Sequence, residues 1–582
     1  MTAKEWLWTI SSPHYESFFR PVERPLQTFL SRRSWLNLAP GLAASAGAVL
    51  APDVSGAAET PTSGGTTEGS RVYNVRDFGA KGDGQNLDTA AIQAAIDACF
   101  KANGGIVLVP AGDFIVGTLE LKSNVTFHLA AQGRLLGSPK IEHYSAGKGV
   151  PSGNGNVVLL YAANAENVTI EGNGTIDGQG AKFYTGKGDN TGPGQNRAEG
   201  YVNRPHLTIF YRCKNLRVHD TFFTASAYHC MQVLECRNVQ LDGIRIHNRV
   251  NKNNDGFHIV GSQYVHIVNC DVACQDDACA LFGSNKFVMV TNCTFSTRWS
   301  VFRFGGGEAE NITISNCVIY ETYGCPIKIR FGSGGRMENV IFSNLVMKDV
   351  TGPISIGLSS SSRRPSGSSE QSQRPPGVIR NLSFTGIEAT VVAEGKTHDD
   401  LPFPSSFRPG ETRSCIVLNG VGDDFLENIS FSDVQITFEG GGTAEEAAQR
   451  DVPKIAGEYF ELGVLPSYGM YARNVRGLSL QNVRFELKKP DLRPALVFDN
   501  LSDVAINGFN AQGNPKAELL RFTNTADALL SACRALSSAA AFLQVEGSNS
   551  KGIIIDGGDL TKAAVPVTFS ADSSKNSVKV RA

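Results

Sequence analysis

A short strand-like unit recurs through most of this 582-residue chain and limits the folds that it can form. Each copy is a run of β-branched residues, then Asn, Asp or Gly, then a second short run, as in "VHIVNCDVAC" (265–274), "VMVTNCTFST" (288–297) and "ITISNCVIYE" (312–321). An α-helix would need apolar residues at a 3.6-residue period over a longer stretch, which these units lack. Strands that recur about every 22–28 residues are typical of a parallel β-helix, a solenoid in which each turn is one rung.

The bends of the repeat carry Asn-Cys pairs at a regular interval. Cys270, Cys293 and Cys317 each follow an Asn and are 23 and 24 residues apart. An even total of twelve cysteines would also suit a disulfide framework, but this recurrence favours buried free thiols stacked on successive rungs. The asparagines at these bends are expected to form an internal ladder of side chains: Asn269, Asn292, Asn316 and Asn344. No Cys or His spacing resembles a zinc site, so neither a metal nor a cofactor is expected.

One segment departs from the strand pattern. In "NLDTAAIQAAIDACFKANGG", Asp88 is placed to begin a helix and Gly104–Gly105 to end it. The apolar residues between them have helical spacing: Ile92, Ala95, Ile96, Cys99 and Phe100. Because the end of a solenoid exposes an open strand edge, this helix is expected to cap it. The predicted fold is thus an all-β parallel β-helix with an N-terminal capping helix.

The chain begins with a segment that reads as an export signal. Paired arginines, Arg32 and Arg33, precede a weakly apolar run and then small residues. This pattern resembles a twin-arginine signal, so residues 1–58 are predicted to be an N-terminal extension with a signal peptide. Residues 59–582 are predicted to be one β-helix domain with long loops, periplasmic or secreted.

Composition narrows the range of partners. A net charge of −2 with 19% charged residues excludes a strongly basic nucleic-acid binder and shows no polybasic membrane patch. The apolar run near the N-terminus is too short and too interrupted by Gly and Pro to span a membrane. We expect a monomer whose partner is a polysaccharide or oligosaccharide, for the reasons that follow.

Three aspartates occupy neighbouring rungs. Asp276 and Asp277 are adjacent in "CQDDACAL", and Asp255 lies 21 residues before Asp276 in "NNDGF". Neighbouring rungs of a solenoid are ~4.8 Å apart, so Asp255 is expected to stack on Asp276 with Asp277 beside them. Single aspartates are common at bends, but three carboxylates in one groove repel one another and indicate acid–base chemistry.

These two motifs resemble the signature of glycoside hydrolase family 28, the polygalacturonases and their relatives. The segment "YNVRDFGAKGDGQNLDTAAIQAAIDAC" resembles the entry segment of such enzymes, and the likeness covers roughly residues 71–510. The resemblance implies a right-handed parallel β-helix and inverting hydrolysis of a glycosidic bond. The resemblance also implies that Asp276 is the general acid and that Asp255 and Asp277 hold the attacking water. Asn253 or Asn254 would orient Asp255 by hydrogen bonding.

The chain departs from the family's pattern next to this site. The family's Gly-His-Gly motif falls near "TRWSVFRFGGG", where Ser300 takes the place of the His. The family's Arg-Ile-Lys element is reversed, as Lys328 to Arg330, and two such cations could still bind a uronate carboxylate. The predicted substrate-binding residues, for some of which simple packing is an open alternative, are Asn254, His258, Arg298, Arg303, Lys328, Arg330 and Tyr228.

The predicted function is hydrolysis of a uronate-containing, pectic polysaccharide or oligosaccharide. The missing His leaves open a non-catalytic glycan-binding β-helix, and the cations Arg303, Lys328 and Arg330 leave open a β-helix polysaccharide lyase. Three long insertions follow the catalytic rungs: 359–377, 394–412 and 439–463. If they gather beside the aspartates, they close one end of the groove, which predicts exo-action.

Overall fold

The computed structural model describes residues 71–151, 157–183, 204–360, 375–405 and 407–581. The predicted signal segment, 1–58, and most of the insertion 359–377 lie outside the described residues. The described part is a right-handed parallel β-helix, as the repeat predicts. Its strands form three ladders, and each rung of the solenoid contributes to them in turn.

The first ladder runs the whole length of the solenoid. Its strands are Val72–Asn74, Gly105–Val109, Val125–Leu129, Thr169–Glu171, Lys214–His219, Arg237–Asp242, Gln263–Val268, Lys286–Thr291, Glu308–Tyr320, Arg336–Val350, Val378–Val391, Leu426–Phe438, Met470–Leu487, Leu496–Asn507, Ala526–Ser531, Lys551–Asp556 and Val578–Arg581.

The second ladder is shorter, because its strands merge into the long strands of the first ladder from Glu308–Tyr320 onward. Its separate strands are Asp83–Leu87, Gly112–Val116, Gly133–Gly137, Thr175–Asp177, Phe222–Thr224, Arg245–Asn248, Asp271–Cys274, Thr294–Thr297, Asn510–Ala511 and Arg534–Ala535.

The third ladder follows the bend that carries the aspartates. Its strands are Leu119–Glu120, Val157–Ala163, His206–Tyr211, Met231–Leu234, Phe257–Val260, Cys279–Phe282, Phe302–Gly305, Ile327–Gly332, Ile354–Ser359, Ile416–Gly420, Glu518–Thr523, Ala539–Glu546 and Ala563–Phe569, with the long strands Met470–Leu487 and Leu496–Asn507 joining it. The short strand Ser145–Ala146 pairs antiparallel with Val157–Ala163.

Alternating burial within each strand builds the core. In Gln263–Val268, Val265 and Ile267 point inward and are fully buried. The parallel register places Val265 between Val239 and Val288, so like residues stack from rung to rung. Because identical positions recur along the axis, one apolar column per inward position fills the interior.

The asparagine ladder lies on the outside of the solenoid, which corrects the prediction that it is internal. The bend asparagines have φ of 53–56°, a left-handed conformation that Asn tolerates better than most residues. All four are exposed, and the Asn344 amide donates to the Asn316 side-chain carbonyl at 3.1 Å. The recurrence of Asn at bends therefore reflects backbone conformation and side-chain pairing at the surface.

The cysteines fill the interior as free thiols. All twelve are buried and unpaired, which agrees with the preference for stacked thiols over disulfides. The backbone N–H of Cys270 lies 3.4 Å from the sulfur of Cys293 on the next rung. Cys in this repeat thus acts as a small apolar residue.

The predicted N-terminal helix is present as Thr89–Lys101 and buries Ile92, Ala95, Ile96 and Cys99. Phe100 is 44% exposed and does not join the core. Asp88 precedes the helix, but its carboxylate accepts from the Lys81 and Gly82 backbone N–H groups at 2.6 and 2.9 Å. That the helix caps the solenoid stays a prediction.

The remaining helices are short. The α-helices are Ala444–Ala448 and Tyr459–Leu462, and the 3-10 helices are Val75–Phe78, Ile141–His143, Gly180–Phe183 and Lys575–Ser577. None of the helices in the described parts of the chain is both long and apolar enough to cross a membrane.

Candidate active site

One column of polar residues enters the third ladder at the same bend on four successive rungs. It contains His229, Asp255, Asp277 and Ser300, because Cys230 N–H donates to Asp255 O, Gly256 N–H to Asp277 O, and Ala278 N–H to Ser300 O, at 2.8–3.2 Å. Asp255 is therefore in register with Asp277. This corrects the prediction from the sequence, which placed Asp255 in register with Asp276. The rung between Asp255 and Asp277 has 22 residues, and the backbone ladder sets their register.

Asp276 lies beside this column at the turn before Asp277. Its carboxylate accepts from the Asp277 backbone N–H at 3.0 Å and from the Asn253 side-chain amide at 3.3 Å. The backbone N–H of Asp276 donates to Asn254 O at 3.2 Å. The three aspartates are thus gathered at one bend, as predicted, and Asn253 contacts Asp276 where the sequence had placed an Asn on Asp255.

Asn254 holds the bend together from the inside. Its side-chain oxygen accepts from the backbone N–H groups of Val250 and Asn251, and its amide donates to the carbonyls of Ser226 and Tyr228, at 2.7–3.0 Å. The residue is fully buried. This corrects the prediction that Asn254 contacts substrate: it anchors the backbone that carries Asp255.

A continuous stack of rings borders the aspartates on one side. Tyr228, His229 and His258 stack with ring centroids 4.2 and 4.6 Å apart. The guanidinium of Arg204 lies 4.5 Å from the Tyr228 ring centroid. Tyr228 is only 8% exposed, so it is packed within the stack and is not an open platform for a sugar ring. His258 reaches Asp255, with its Nδ1 2.9 Å from a carboxylate oxygen.

Three of these side chains lie close enough together to hold a metal ion: His229, Asp255 and His258. No other such group of His, Cys, Asp or Glu occurs among the described residues. The two imidazole planes are nearly parallel, at 12°, so their in-plane lone pairs do not converge on one point. Ser300 closes the other end of the column, where its hydroxyl donates to the Asp277 carboxylate. These contacts fit a network of hydrogen bonds better than a metal site.

The predicted cations are brought to the opposite side of the aspartates. Arg303 and Lys328 occupy equivalent positions on adjacent strands of the third ladder. Both reach one carboxylate, Glu458, at 3.2 and 3.1 Å. The Lys328 ammonium also lies 3.8 Å from the ring centroid of Trp299. Glu458 comes from the insertion 439–463 and completes an ion-paired cluster that no sequence motif indicated.

The other two predicted cations are held by the chain itself. Arg298 is 2% exposed and pairs with Glu411 of the insertion 394–412 at 3.4 Å. Arg330 donates to the Ser355 carbonyl and hydroxyl, both at 2.7 Å. A role in substrate binding stays a prediction for His258, Arg298, Arg303, Lys328, Arg330 and Tyr228.

Burial raises the pKa of all three aspartates, well above the usual value for Asp255 and Asp276, and against opposing neighbours for Asp277. The pKa of Asp276 is raised well above its usual value by burial and by the charges of Asp255 and Asp277. For Asp277, burial also raises the pKa, but Arg303, Lys328 and the Ser300 hydroxyl oppose it. Asp276 is thus placed to hold a proton, and the cations beside Asp277 favour the ionised form of that carboxyl without cancelling the effect of burial on its pKa.

The two histidines beside Asp255 are neutral near pH 7. Burial lowers the pKa of His258 to about 4 and holds that of His229 well below its usual range. The positive charge of Arg204 adds to the effect on His229. These rings can therefore exchange a hydrogen bond with Asp255 without adding charge to the site.

The raised pKa of Asp276 predicts a pH-dependent gain in stability for Asp276→Asn. A carboxyl whose folded pKa is raised stabilises the fold fully below its unfolded pKa, near 3.8, and this contribution is lost as pH rises through the folded pKa. We expect the variant to have a higher Tm than the wild type at pH 7, and the difference to vanish towards pH 3.8. Scanning calorimetry across this range would reject the idea if the difference did not change with pH.

Two of the site residues were not identified from sequence. His229 could have been found, because it lies one rung before Asp255 and next to Tyr228. Glu458 could not, because it lies in an insertion outside the repeat.

A right-handed parallel β-helix with three clustered carboxyls at one bend defines a carbohydrate-active class of protein. The model of the family described as glycosyl hydrolases family 28 matches residues 99–398, more than half of the chain. The chain belongs to glycosyl hydrolases family 28.

Individual relatives are distant or match locally. Polygalacturonase-2 of Solanum lycopersicum is 26% identical over 300 residues, which cover 50% of this chain and 63% of that protein. The chain thus spans less than two thirds of that relative's length. The exo-poly-alpha-D-galacturonosidase of Dickeya chrysanthemi is 48% identical over 79 residues, 14% of this chain and 13% of that one. The Yersinia enterocolitica family 28 exopolygalacturonase superposes with a TM-score of 0.54 at 22% identity, covering 74% of this chain and 78% of that chain, which shows the shared fold.

Proposed function

We propose that this protein hydrolyses glycosidic bonds in a pectic, uronate-containing polysaccharide or oligosaccharide with inversion at the anomeric carbon. The observation that carries the proposal is the gathering of three carboxyls at one bend, Asp255 and Asp277 buried and Asp276 half-buried, with Asp276 and Asp277 in different electrostatic surroundings. Family membership and the polygalacturonase relatives support the substrate class.

In the proposed reaction the protonated carboxyl of Asp276 gives its proton to the leaving glycosidic oxygen. Asp277, with Asp255, takes a proton from a water molecule, which attacks the anomeric carbon from the opposite face of the sugar. The Ser300 hydroxyl, at the place where the family has a His, fixes one oxygen of Asp277. His258 fixes Asp255 from the other side.

The lyase alternative is less well supported. A lyase needs a basic side chain that reaches the substrate to remove a proton. The Lys328 side chain is fully buried and is ion-paired with Glu458, which also pairs with Arg303. The non-catalytic alternative gives no reason for three carboxyls to share one buried bend at a cost in repulsion.

We also propose that the protein acts from chain ends. The insertion 394–412 reaches the catalytic rungs through Glu411, and 439–463 reaches them through Glu458. The two insertions touch each other, with the Arg408 guanidinium 4.8 Å from the Phe460 ring centroid. Insertions that meet beside the aspartates favour a pocket over an open cleft. The local match to the Dickeya exo-poly-alpha-D-galacturonosidase agrees with this.

Product profiling tests the proposal. We expect purified protein to release reducing sugar from a pectic polysaccharide, with mono- or disaccharide appearing early and viscosity falling slowly. A rapid loss of viscosity with mixed oligomers would contradict exo-action alone. An unsaturated product that absorbs in the ultraviolet would indicate a lyase, and no release from any pectic polymer would reject the proposed activity.

Export by the twin-arginine route to the periplasm or outside the cell remains part of the proposal, resting on Arg32 and Arg33 of the segment 1–58. Replacing both arginines by lysine should leave precursor in the cytoplasm. Unchanged export of that variant would contradict it.

A further inference from the structure

The cation pair next to the aspartates already holds a carboxylate. Glu458 places one oxygen 3.2 Å from an Arg303 nitrogen and the other 3.1 Å from the Lys328 ammonium. Two cations thus bind both oxygens of one carboxylate, which is how they would bind the carboxylate of a uronate if Glu458 were absent. The nearby charges of Lys328, Arg303 and Arg330 outweigh burial and hold the pKa of Glu458 well below its usual range, so the group is ionised.

The two cations are largely covered by the chain itself. The Lys328 side chain is 0% exposed and that of Arg303 is 19% exposed. The ring of Trp299 lies against the Lys328 ammonium. A substrate carboxylate could pair with both cations only by displacing Glu458, and breaking a buried ion pair is strongly unfavourable.

The insertion that carries Glu458 is anchored to the solenoid. The neighbouring residue, Tyr459, is 3% exposed, and its hydroxyl donates to the Cys415 carbonyl at 2.7 Å. Earlier in the insertion, the carbonyls of Val452 and Pro453 accept from Arg473 of the strand Met470–Leu487 at 2.9 and 2.8 Å. These contacts fix Glu458 in place and distinguish it from a residue on a loosely attached lid.

We propose that Glu458 replaces a substrate carboxylate, and that the subsite beside Arg303 and Lys328 takes an uncharged sugar or a methyl-esterified uronate. This inference rests on the proposed function and narrows it. A free uronate at this subsite would meet the Glu458 carboxylate and the aspartates, while the charges of Arg303 and Lys328 are already paired with Glu458. Glu458 is therefore a specificity-determining residue.

Binding to an inactive protein tests the inference separately from activity. In the Asp276→Asn background, calorimetry would compare trigalacturonate with its fully methyl-esterified form. We expect the ester to bind roughly tenfold more tightly. Adding Glu458→Gln, which keeps the size and removes the charge, should shift the ratio of the two dissociation constants roughly tenfold towards the acid.

Glu439→Gln is the matched control, because Glu439 belongs to the same insertion and also pairs with two cations, Lys488 and Lys489. It should leave the ratio unchanged, and circular dichroism would verify that each variant is folded. The inference would be overturned if the Asp276→Asn protein bound trigalacturonate as tightly as its methyl ester or more tightly. It would also be overturned if neither trisaccharide bound. Inactivity of the wild type would instead reject the proposed function and leave the binding ratio to judge Glu458.

Discussion

Asp276→Asn is expected to lower the rate of hydrolysis by about 10³-fold, within the range that a positioned general acid contributes. The amide keeps the size of the side chain and can still accept from the Asp277 backbone N–H, which Asp276 contacts at 3.0 Å. It has no proton of suitable acidity for the leaving oxygen. The measurement is reducing-sugar release from the best pectic substrate at its optimum pH.

Asp271→Asn is the control for this experiment. Asp271 lies on the same rung, in Asp271–Cys274, but it is exposed and points away from the core. It should retain wild-type activity. If Asp276→Asn turned over substrate at a near-normal rate while folded, Asp276 would not be the acid.

Asn254→Ala is expected to cost about 3 kcal/mol of folding free energy and nearly all activity. The substitution removes the Asn254 partner of two backbone N–H groups, part-buried at Val250 and buried at Asn251, and of two buried carbonyls, at Ser226 and Tyr228. Because unsatisfied buried polar groups retain their full desolvation penalty, the bend that holds Asp255 should loosen. Thermal unfolding and activity would be measured on the same preparation.

Asn344→Ala is the contrasting variant, since Asn344 is an exposed bend asparagine that donates one hydrogen bond along the surface ladder. It should change stability by a small fraction of the effect at Asn254 and leave activity intact. Similar losses in both variants would mean that Asn254 is an ordinary bend residue.

The sequence by itself determined the solenoid and the place of its chemistry. Strand runs, left-handed bends and a helix at Thr89–Lys101 all depend on local backbone preferences, which can be read from a short window. The recurrence of Asp255 and the Asp276–Asp277 pair about one rung apart was enough to bring the three carboxyls to one bend, because a parallel solenoid returns the chain to the same position on each rung.

Only the tertiary structure decided the register of the aspartates and the partners of the cations. Rungs of 21 and 22 residues look alike in sequence, and the hydrogen-bonded ladder places Asp255 over Asp277. Glu458 follows Lys328 by more than a hundred residues, in an insertion with no repeat to place it. Which charges pair depends on the path of the folded loop, and local periodicity does not encode that path. Arg303 and Lys328, which the sequence predicted to bind substrate, are therefore paired with a carboxylate of the chain itself.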